Sequence, residues 1–255
     1  MEVVVLDSPD DVAREAADRV AALVRRRPDA VLGLATGSSP LGAYAELARR
    51  VAAGELDLSS VRGFALDEYV RIPADHPQSY AAVLDREVTR PLGLEPCAVR
   101  VPDGCAADLA AAAEEYERAI AAAGGVDLQL LGIGANGHIG FNEPTSSFAS
   151  RTRVKTLAPR TRADNARFFG SPDDVPVHCL TQGLGTILEA RELLLVAQGR
   201  AKAAAVAAAV EGPVSSMCPG SALQLHPRAT VVVDAAAAGR LQLVDYYRWT
   251  WENKP

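Results

Sequence analysis

The chain alternates short apolar runs with longer segments in which apolar residues recur every three or four positions. The short runs predict buried strands, and the longer segments predict helices that bury one face. The first helix has the clearest boundaries, because Ser8 can cap it, Pro9 can take its first position and Pro28 ends it. We expect this helix to extend to about Arg27.

The other elements are predicted from the same two periods. Strands are expected at 3–6, 30–35, 61–66, 126–133, 177–181, 192–197, 230–234 and 241–244. Helices are expected at 40–51, 79–90, 108–123, 184–189 and 200–210. This alternation predicts an α/β fold of the doubly wound, Rossmann-like kind, with a mostly parallel sheet and helices on both faces. Since no repeat or flexible linker interrupts it, residues 1–255 are expected to form a single catalytic domain.

Composition narrows the class of protein. Hydrophobic residues make up 49% and charged residues 23% of the 255, as in ordinary globular proteins. The net charge of −6 argues against a nucleic-acid partner. The apolar runs are shorter than the ~18 residues of a membrane span, and the acidic N-terminus does not resemble a signal peptide. The four cysteines lack zinc-like spacing, so we expect free thiols and a cytoplasmic location.

Ligands of such sheets bind at the carboxyl ends of the strands. The strand predicted at 30–35 is followed by Thr36, Gly37, Ser38 and Ser39. We expect Ser39 to cap the next helix, so that hydroxyls, free backbone N–H groups and the helix dipole converge on a phosphate. An ordinary capped turn is the alternative.

Two acids, Asp67 and Glu68, follow the strand predicted at 61–66. A carboxylate at such a strand end can act as a general base, a metal ligand or a ribose binder, or it can cap a turn. Alternation along the strand indicates that Asp67 is the acid that faces the crevice.

A glycine-rich loop follows the strand predicted at 126–133. Its sequence, GIGANGHIGFNEP at 132–144, contains GxGxxG, but no helix can begin there and no acid follows at the required distance. We therefore expect no dinucleotide. The loop carries His138 between glycine-rich turns, and Glu143 is close enough in sequence to fold back on it. A metal would need a third ligand such as Asp67, and since the spacing matches no known metal site, none is predicted.

Basic residues are concentrated further along the chain. Between 151 and 167 there are six cations and one acid, Asp164. This bias can attract an anion, although a solvated basic face is the alternative for most of them. Arg167, beside Phe168, is the one most expected to be fixed by packing. Lys202, after a later strand, is a second candidate for binding an anion.

Several stretches, taken together, resemble the glucosamine-6-phosphate deaminase (isomerase) family. They are ATGSSPLGAY at 35–44, FALDEYV at 64–70, LGIGANGHIGFNEP at 131–144, SRTRVKTL at 150–157, NARFF at 165–169 and LQLHP at 223–227. They occur along nearly the whole chain, and HIGFNEP is the most specific of them. The 6-phosphogluconolactonases share the fold and a similar Gly-His turn.

The resemblance implies conversion of glucosamine 6-phosphate and water into fructose 6-phosphate and ammonia, without cofactor or metal. It implies that Asp67 is the base for the C2 proton and that His138 opens the sugar ring. Asn136 and Glu143 would orient and polarise His138, and the Asn amide leaves Glu143 as the anion beside it. The phosphate pocket would comprise Thr36, Gly37, Ser38, Ser39, Arg167 and Lys202.

The resemblance also leaves alternatives open. The expected partner is a small amino-sugar phosphate, and a homo-oligomer is possible within the family. A 6-phosphogluconolactonase is the alternative enzyme, and a sugar-phosphate sensor domain is the alternative of another class. A passive sensor has no use for the combination of Asp67, His138 and Glu143.

Overall fold

The structure is a computed structural model that describes residues 1–254. Its strands are β1 (Glu2–Leu6), β2 (Val31–Leu34), β3 (Arg62–Ala65), β4 (Asp67–Tyr69), β5 (Val99–Arg100), β6 (Leu128–Leu131), β7 (Arg153–Thr156), β8 (His178–Thr181), β9 (Glu192–Ala197) and β10 (Ala229–Asp234). Its α-helices are α1 (Pro9–Arg26), α2 (Ser38–Ala52), α3 (Tyr80–Leu84), α4 (Leu109–Ala122), α5 (Pro159–Phe169), α6 (Leu184–Leu188), α7 (Ala203–Val210) and α8 (Val244–Glu252). None of these helices has the length and apolar composition needed to cross a membrane.

The main sheet has seven strands in the order β1-β10-β9-β6-β2-β3-β5. Every neighbouring pair in it is parallel, which confirms the predicted fold class. From β2 the chain continues outward to β3 and β5, whereas from β6 it continues to β9 and β10 on the other side. The strand order therefore reverses between β2 and β6, where parallel sheets form a crevice at their carboxyl ends.

Side chains alternate between the two faces of this sheet. Leu32, Leu130 and Val196 pack on one face in a core that includes the apolar residues of α1 and α2. Val31 and Leu131 pack on the opposite face in a core that includes residues of α4, α6 and α7. The inner strands β2, β6, β9 and β10 are buried on both faces and are mostly apolar, and this is the pattern that identified them in the sequence.

A second, antiparallel sheet was not predicted. It has the order β4-β8-β7, and Asp67 of β4 lies directly opposite Thr181 of β8. Only Leu66 separates β3 from β4, so the chain leaves the main sheet and enters the second one at the position of the acids. This sheet forms a wall above the carboxyl ends of the parallel strands.

Several predicted boundaries need correction. No strand forms at 241–244, because Val244 begins helix α8 and packs on the core together with Tyr247 and Trp251. The helix predicted at 79–90 divides into α3 and a π-helical turn, Asp85–Thr89. Helix α5, within the basic segment, was not predicted.

Candidate active site

A cleft of about 240 Å³ lies at the carboxyl ends of β2, β3 and β6. It is therefore at the crevice where the strand order reverses. Of the residues predicted from sequence, it is lined by Thr36, Gly37, Ser38, Ser39, Asp67, His138, Arg167 and Lys202. The other two, Asn136 and Glu143, lie behind His138 and contact it. The fold thus brings eight of the ten predicted site residues to one cavity and places the other two against His138.

The turn between β2 and α2 forms as predicted, with one correction. Helix α2 begins at Ser38, its N-cap residue is Gly37, and no side chain caps it. Ser39 is therefore not the cap; it lies buried in the first turn. Gly37 has φ +98°, a conformation that side chains rarely permit, and this turn leaves the first N–H groups of α2 free for an anion.

Two cations approach the same cleft from other segments. Lys202 donates a hydrogen bond from Nζ to the carbonyl of Ile133, 2.7 Å away, at the end of β6. Burial, with a contribution from nearby Arg167, lowers the pKa of Lys202. Arg167 is exposed, and its guanidinium carbon lies 4.7 Å from the ring centroid of Phe168. Packing against an aromatic ring therefore restrains Arg167, as expected.

Asp67 is a buried acid in the wall of the cleft. Its exposed fraction is 5%. Burial raises the pKa of Asp67 to about 8, the charge of Glu68 adds to that effect, and the hydroxyl of Thr181 and the amide of Phe141 oppose it. A carboxyl group with a pKa near neutrality suits proton transfer to and from a substrate.

Glu68, the adjacent acid, is directed away from the cleft. Its carboxylate accepts hydrogen bonds from the backbone N–H groups of Tyr69, Tyr80 and Ala81 at 2.8, 3.0 and 2.9 Å. These contacts hold it against the first turn of α3. Of the two acids, Asp67 is the one that lines the cleft, in agreement with the alternation along the strand.

His138 lies in a loop whose shape depends on glycine. Gly137 has φ +84°, and the imidazole lies so close to Gly134 that a Cβ there would be 2.2 Å from the ring. Nδ1 of His138 is 3.7 Å from Oε2 of Glu143 and has no hydrogen-bond partner within the residues described. With this edge toward Glu143, the opposite ring nitrogen remains available to the cleft.

Glu143 is held by several donors. Asn136 Nδ2 donates to Glu143 Oε2 at 2.6 Å, and the Thr161 hydroxyl donates to Oε1 at 2.5 Å. Burial opposes ionisation, but His138, Thr161 and Asn136 outweigh it and lower the pKa of Glu143 to about 2. Asn136 Oδ1 accepts from the backbone N–H of His138 at 3.2 Å. Asn136 therefore orients Glu143 and the loop, rather than the imidazole itself.

The sequence analysis did not identify the aromatic wall of the cleft. This wall consists of Tyr69, Tyr80, Phe141 and Phe169, and the Tyr69 hydroxyl accepts a hydrogen bond from Asn165 at 2.9 Å. These residues come from four separate segments, and nothing in their local spacing connects them. Only the position of Tyr69, two residues after Asp67, could have suggested a place at the site.

The cleft combines acid–base groups with donors for an anion. No cluster of three or more metal-ligating side chains occurs within residues 1–254. The cleft offers a carboxyl with a pKa near neutrality, an imidazole paired with a carboxylate, and a group of anion-binding donors. Together they can bind a phosphorylated ligand and move protons on it.

Comparison with known proteins agrees with this geometry. A family model described as glucosamine-6-phosphate isomerases/6-phosphogluconolactonase matches residues 7–233. The chain belongs to this family. The resemblance inferred from the sequence motifs is thereby confirmed.

Within the glucosamine-6-phosphate isomerase/6-phosphogluconolactonase family, several relatives are similar over their full length. A protein of Pseudarthrobacter chlorophenolicus named glucosamine-6-phosphate deaminase is 60% identical over 100% of this chain and 98% of its own. Its namesake from Mycolicibacterium smegmatis is 59% identical with the same coverage.

Solved structures agree with this placement. That of a monomeric glucosamine-6-phosphate deaminase is 42% identical, with a TM-score of 0.92, over 94% of this chain and all of the other. The 6-phosphogluconolactonase from Trypanosoma cruzi is 20% identical, with a TM-score of 0.76, over 94% of this chain and 97% of its own. At that identity the lactonase shows the shared fold alone.

Proposed function

We propose that this protein is a glucosamine-6-phosphate deaminase, which converts glucosamine 6-phosphate and water into fructose 6-phosphate and ammonia. The observation that carries the proposal is the arrangement of the cleft, where Asp67 and His138, the latter next to Glu143, share one cavity with the uncapped start of α2. The high identity to proteins of that name supports it.

The phosphate of the substrate fixes the sugar in the cleft. The free N–H groups at the start of α2 and the hydroxyls of Thr36, Ser38 and Ser39 surround the anion. Lys202 and Arg167 balance its charge from the opposite side. Charge-assisted hydrogen bonds of this kind set the position of the carbon chain relative to the acid–base groups.

Proton transfers then follow from the acid–base groups. His138, with its Nδ1 edge toward the ionised Glu143, moves a proton between the ring oxygen and the C1 oxygen to open the sugar. Asp67 removes the C2 proton of the open form and returns it to C1, while the C1 oxygen gains a proton and the amino group loses one. The resulting C2 imine takes up water and loses ammonia, which leaves the ketose phosphate.

Ammonia release is the direct test. Purified protein is incubated with glucosamine 6-phosphate, and ammonia and fructose 6-phosphate are each measured with a coupled enzyme. We expect both products in equal amounts. Hydrolysis of 6-phosphogluconolactone without ammonia release would instead assign the lactonase activity, and tight binding without turnover would indicate a sensor.

Two further properties remain predictions from the sequence. A cytoplasmic location suits an enzyme of sugar-phosphate metabolism and is tested by fractionation of cells. A homo-oligomer is possible, although one solved relative is a monomeric deaminase. Light scattering of the purified protein determines its mass in solution.

A further inference from the structure

Glu68 is a buried acid to which the proposed reaction gives no role. It directly follows Asp67 on β4, and its exposed fraction is 4%. Burial of a carboxylate is costly unless hydrogen bonds compensate for the water it loses. The presence of a second buried acid beside the proposed base therefore calls for an explanation.

The partners of Glu68 favour its ionised form. All three are backbone N–H donors, at 2.8 to 3.0 Å from Tyr69, Tyr80 and Ala81. A protonated carboxyl would need an acceptor for its hydrogen, and these partners provide none. Burial raises the pKa of Glu68, and the three donors reduce that rise without cancelling it.

Several titratable groups near Asp67 are neutral near pH 7. They come from the aromatic wall, from α4 and from β8, and they are Tyr69, Tyr80, Tyr116 and Cys179. Burial raises the pKa of each of them, so none carries a charge at that pH. The loop at 138–142 contributes the amide of Phe141, and β8 contributes the hydroxyl of Thr181. The cleft is also lined by other charged or titratable side chains, which are Arg86, Glu87, His138, Arg167 and Lys202. Glu68 is the acid whose charge disfavours ionisation of Asp67.

We infer that Glu68 is a positioning residue that keeps a fixed negative charge behind Asp67 and thereby makes Asp67 a stronger base. The inference rests on the proposed function, in which Asp67 removes the C2 proton. A neighbouring like charge disfavours a second carboxylate, so Asp67 holds a proton more tightly than it otherwise would. The same side chain joins β4 to the start of α3, where Tyr80 enters the aromatic wall.

The pH dependence of kcat/KM tests this role, because a purely structural residue would not shift it. In the wild type we expect kcat/KM to rise with pH to a plateau as Asp67 ionises, with a midpoint near 8. For Glu68→Gln we expect the midpoint to fall by roughly one unit. We also expect the plateau to fall by roughly 3- to 10-fold, because a weaker base remains.

Two variants separate charge from packing. Glu68→Asp keeps the charge, so its midpoint should stay near that of the wild type even where kcat falls. Glu117→Gln is the matched control, because Glu117 also accepts a backbone N–H bond, from Thr152 at 2.8 Å, but does so away from the cleft. Its midpoint should also be unchanged. A Glu68→Gln midpoint equal to that of the wild type overturns the inference, as does a shift of a full unit in Glu68→Asp.

A measurement without substrate distinguishes this inference from the proposed function. Protein labelled with ¹³C in its aspartate carboxyl groups is titrated by NMR, and the resonance missing from Asp67→Asn is assigned to Asp67. That resonance should titrate near pH 8 in the wild type and lower in Glu68→Gln. An unchanged titration overturns the inference whatever the activity. A shifted titration in a protein that releases no ammonia leaves the inference standing and refutes the proposed function.

Discussion

The two walls of the cleft are built in different ways. The acid–imidazole wall, formed by Asp67, Asn136, His138 and Glu143, is largely buried, and Glu143 accepts bonds from both Asn136 and Thr161. The phosphate wall, formed by Thr36–Ser39, Arg167 and Lys202, combines uncapped N–H groups with an exposed arginine. In the first wall, Glu143 already has hydrogen-bond partners before a ligand binds. In the second, N–H groups at the start of α2 remain free to donate to a ligand. Changes in the first should therefore alter rate, and changes in the second should alter affinity.

The largest expected effect is at Asp67. Asp67→Asn keeps the shape of the side chain but removes the group that accepts the C2 proton. We expect kcat to fall by roughly 10²- to 10⁴-fold with little change in affinity. Exchange of the C2 hydrogen with heavy water, followed by NMR, should be lost as well. Exchange at the wild-type rate would show that another group is the base.

The next effect concerns the phosphate wall. Lys202→Ala and Arg167→Ala each remove a bond to a charged group, so KM should rise roughly 10- to 100-fold while kcat changes less. The increase should be smaller for glucosamine without phosphate. Arg160→Ala, on the same helix as Arg167 but outside the cleft, is the matched control. A fall in kcat at constant KM would contradict the division between the two walls.

A smaller effect concerns stability. The pKa of Asp67 is about 8 when folded, against 3.8 for an ordinary aspartate, so the folded state binds the proton more tightly than the unfolded state. The stabilisation that the folded state gains from this proton is complete below about pH 4 and is lost as the pH rises toward 8. The Asp67→Asn variant does not lose this stability, because its amide does not ionise. Its Tm should exceed that of the wild type by roughly 5 °C or more at pH 8, and the difference should shrink toward pH 4.

Removal of metal ions is expected to have no effect on activity. Since the proposed reaction uses side chains alone, EDTA should leave the rate of ammonia release unchanged. The assay compares protein dialysed against EDTA with protein supplied with zinc. Loss of activity on dialysis, restored by zinc, would remove Asp67 and His138 from their proposed roles.

Much of this arrangement was predictable from the sequence, because its signals are local. The strand ends carry the polar residues, and alternation correctly placed Asp67 rather than Glu68 on the cleft side. The N-cap was assigned to Ser39 because serine usually caps helices, but the conformation of Gly37 starts α2 one residue before Ser39.

Other parts depended on contacts that are distant in sequence. The apolar–polar alternation at 241–244 is typical of a strand, yet Val244, Tyr247 and Trp251 follow a helical spacing that continues past it. Strand β7 and helix α5 were not predicted, because the basic residues at 151–167 leave no clear apolar period there. Asn136 donates its side-chain hydrogen bond to Glu143 and not to the imidazole of His138. This choice depends on the fold of the loop and could not be derived from the spacing of the residues.

The position of the cleft at the reversal of strand order has a consequence for folding. β2 ends at Leu34 and β6 begins at Leu128, yet the two strands are neighbours, and their following loops face each other across the cleft. Closing so long a stretch of chain costs entropy before any contact compensates for it. Pairings of this kind form slowly, whereas helices such as α1 and α2 depend on local contacts. We therefore expect the cleft to form late in folding, when the two halves of the sheet have joined.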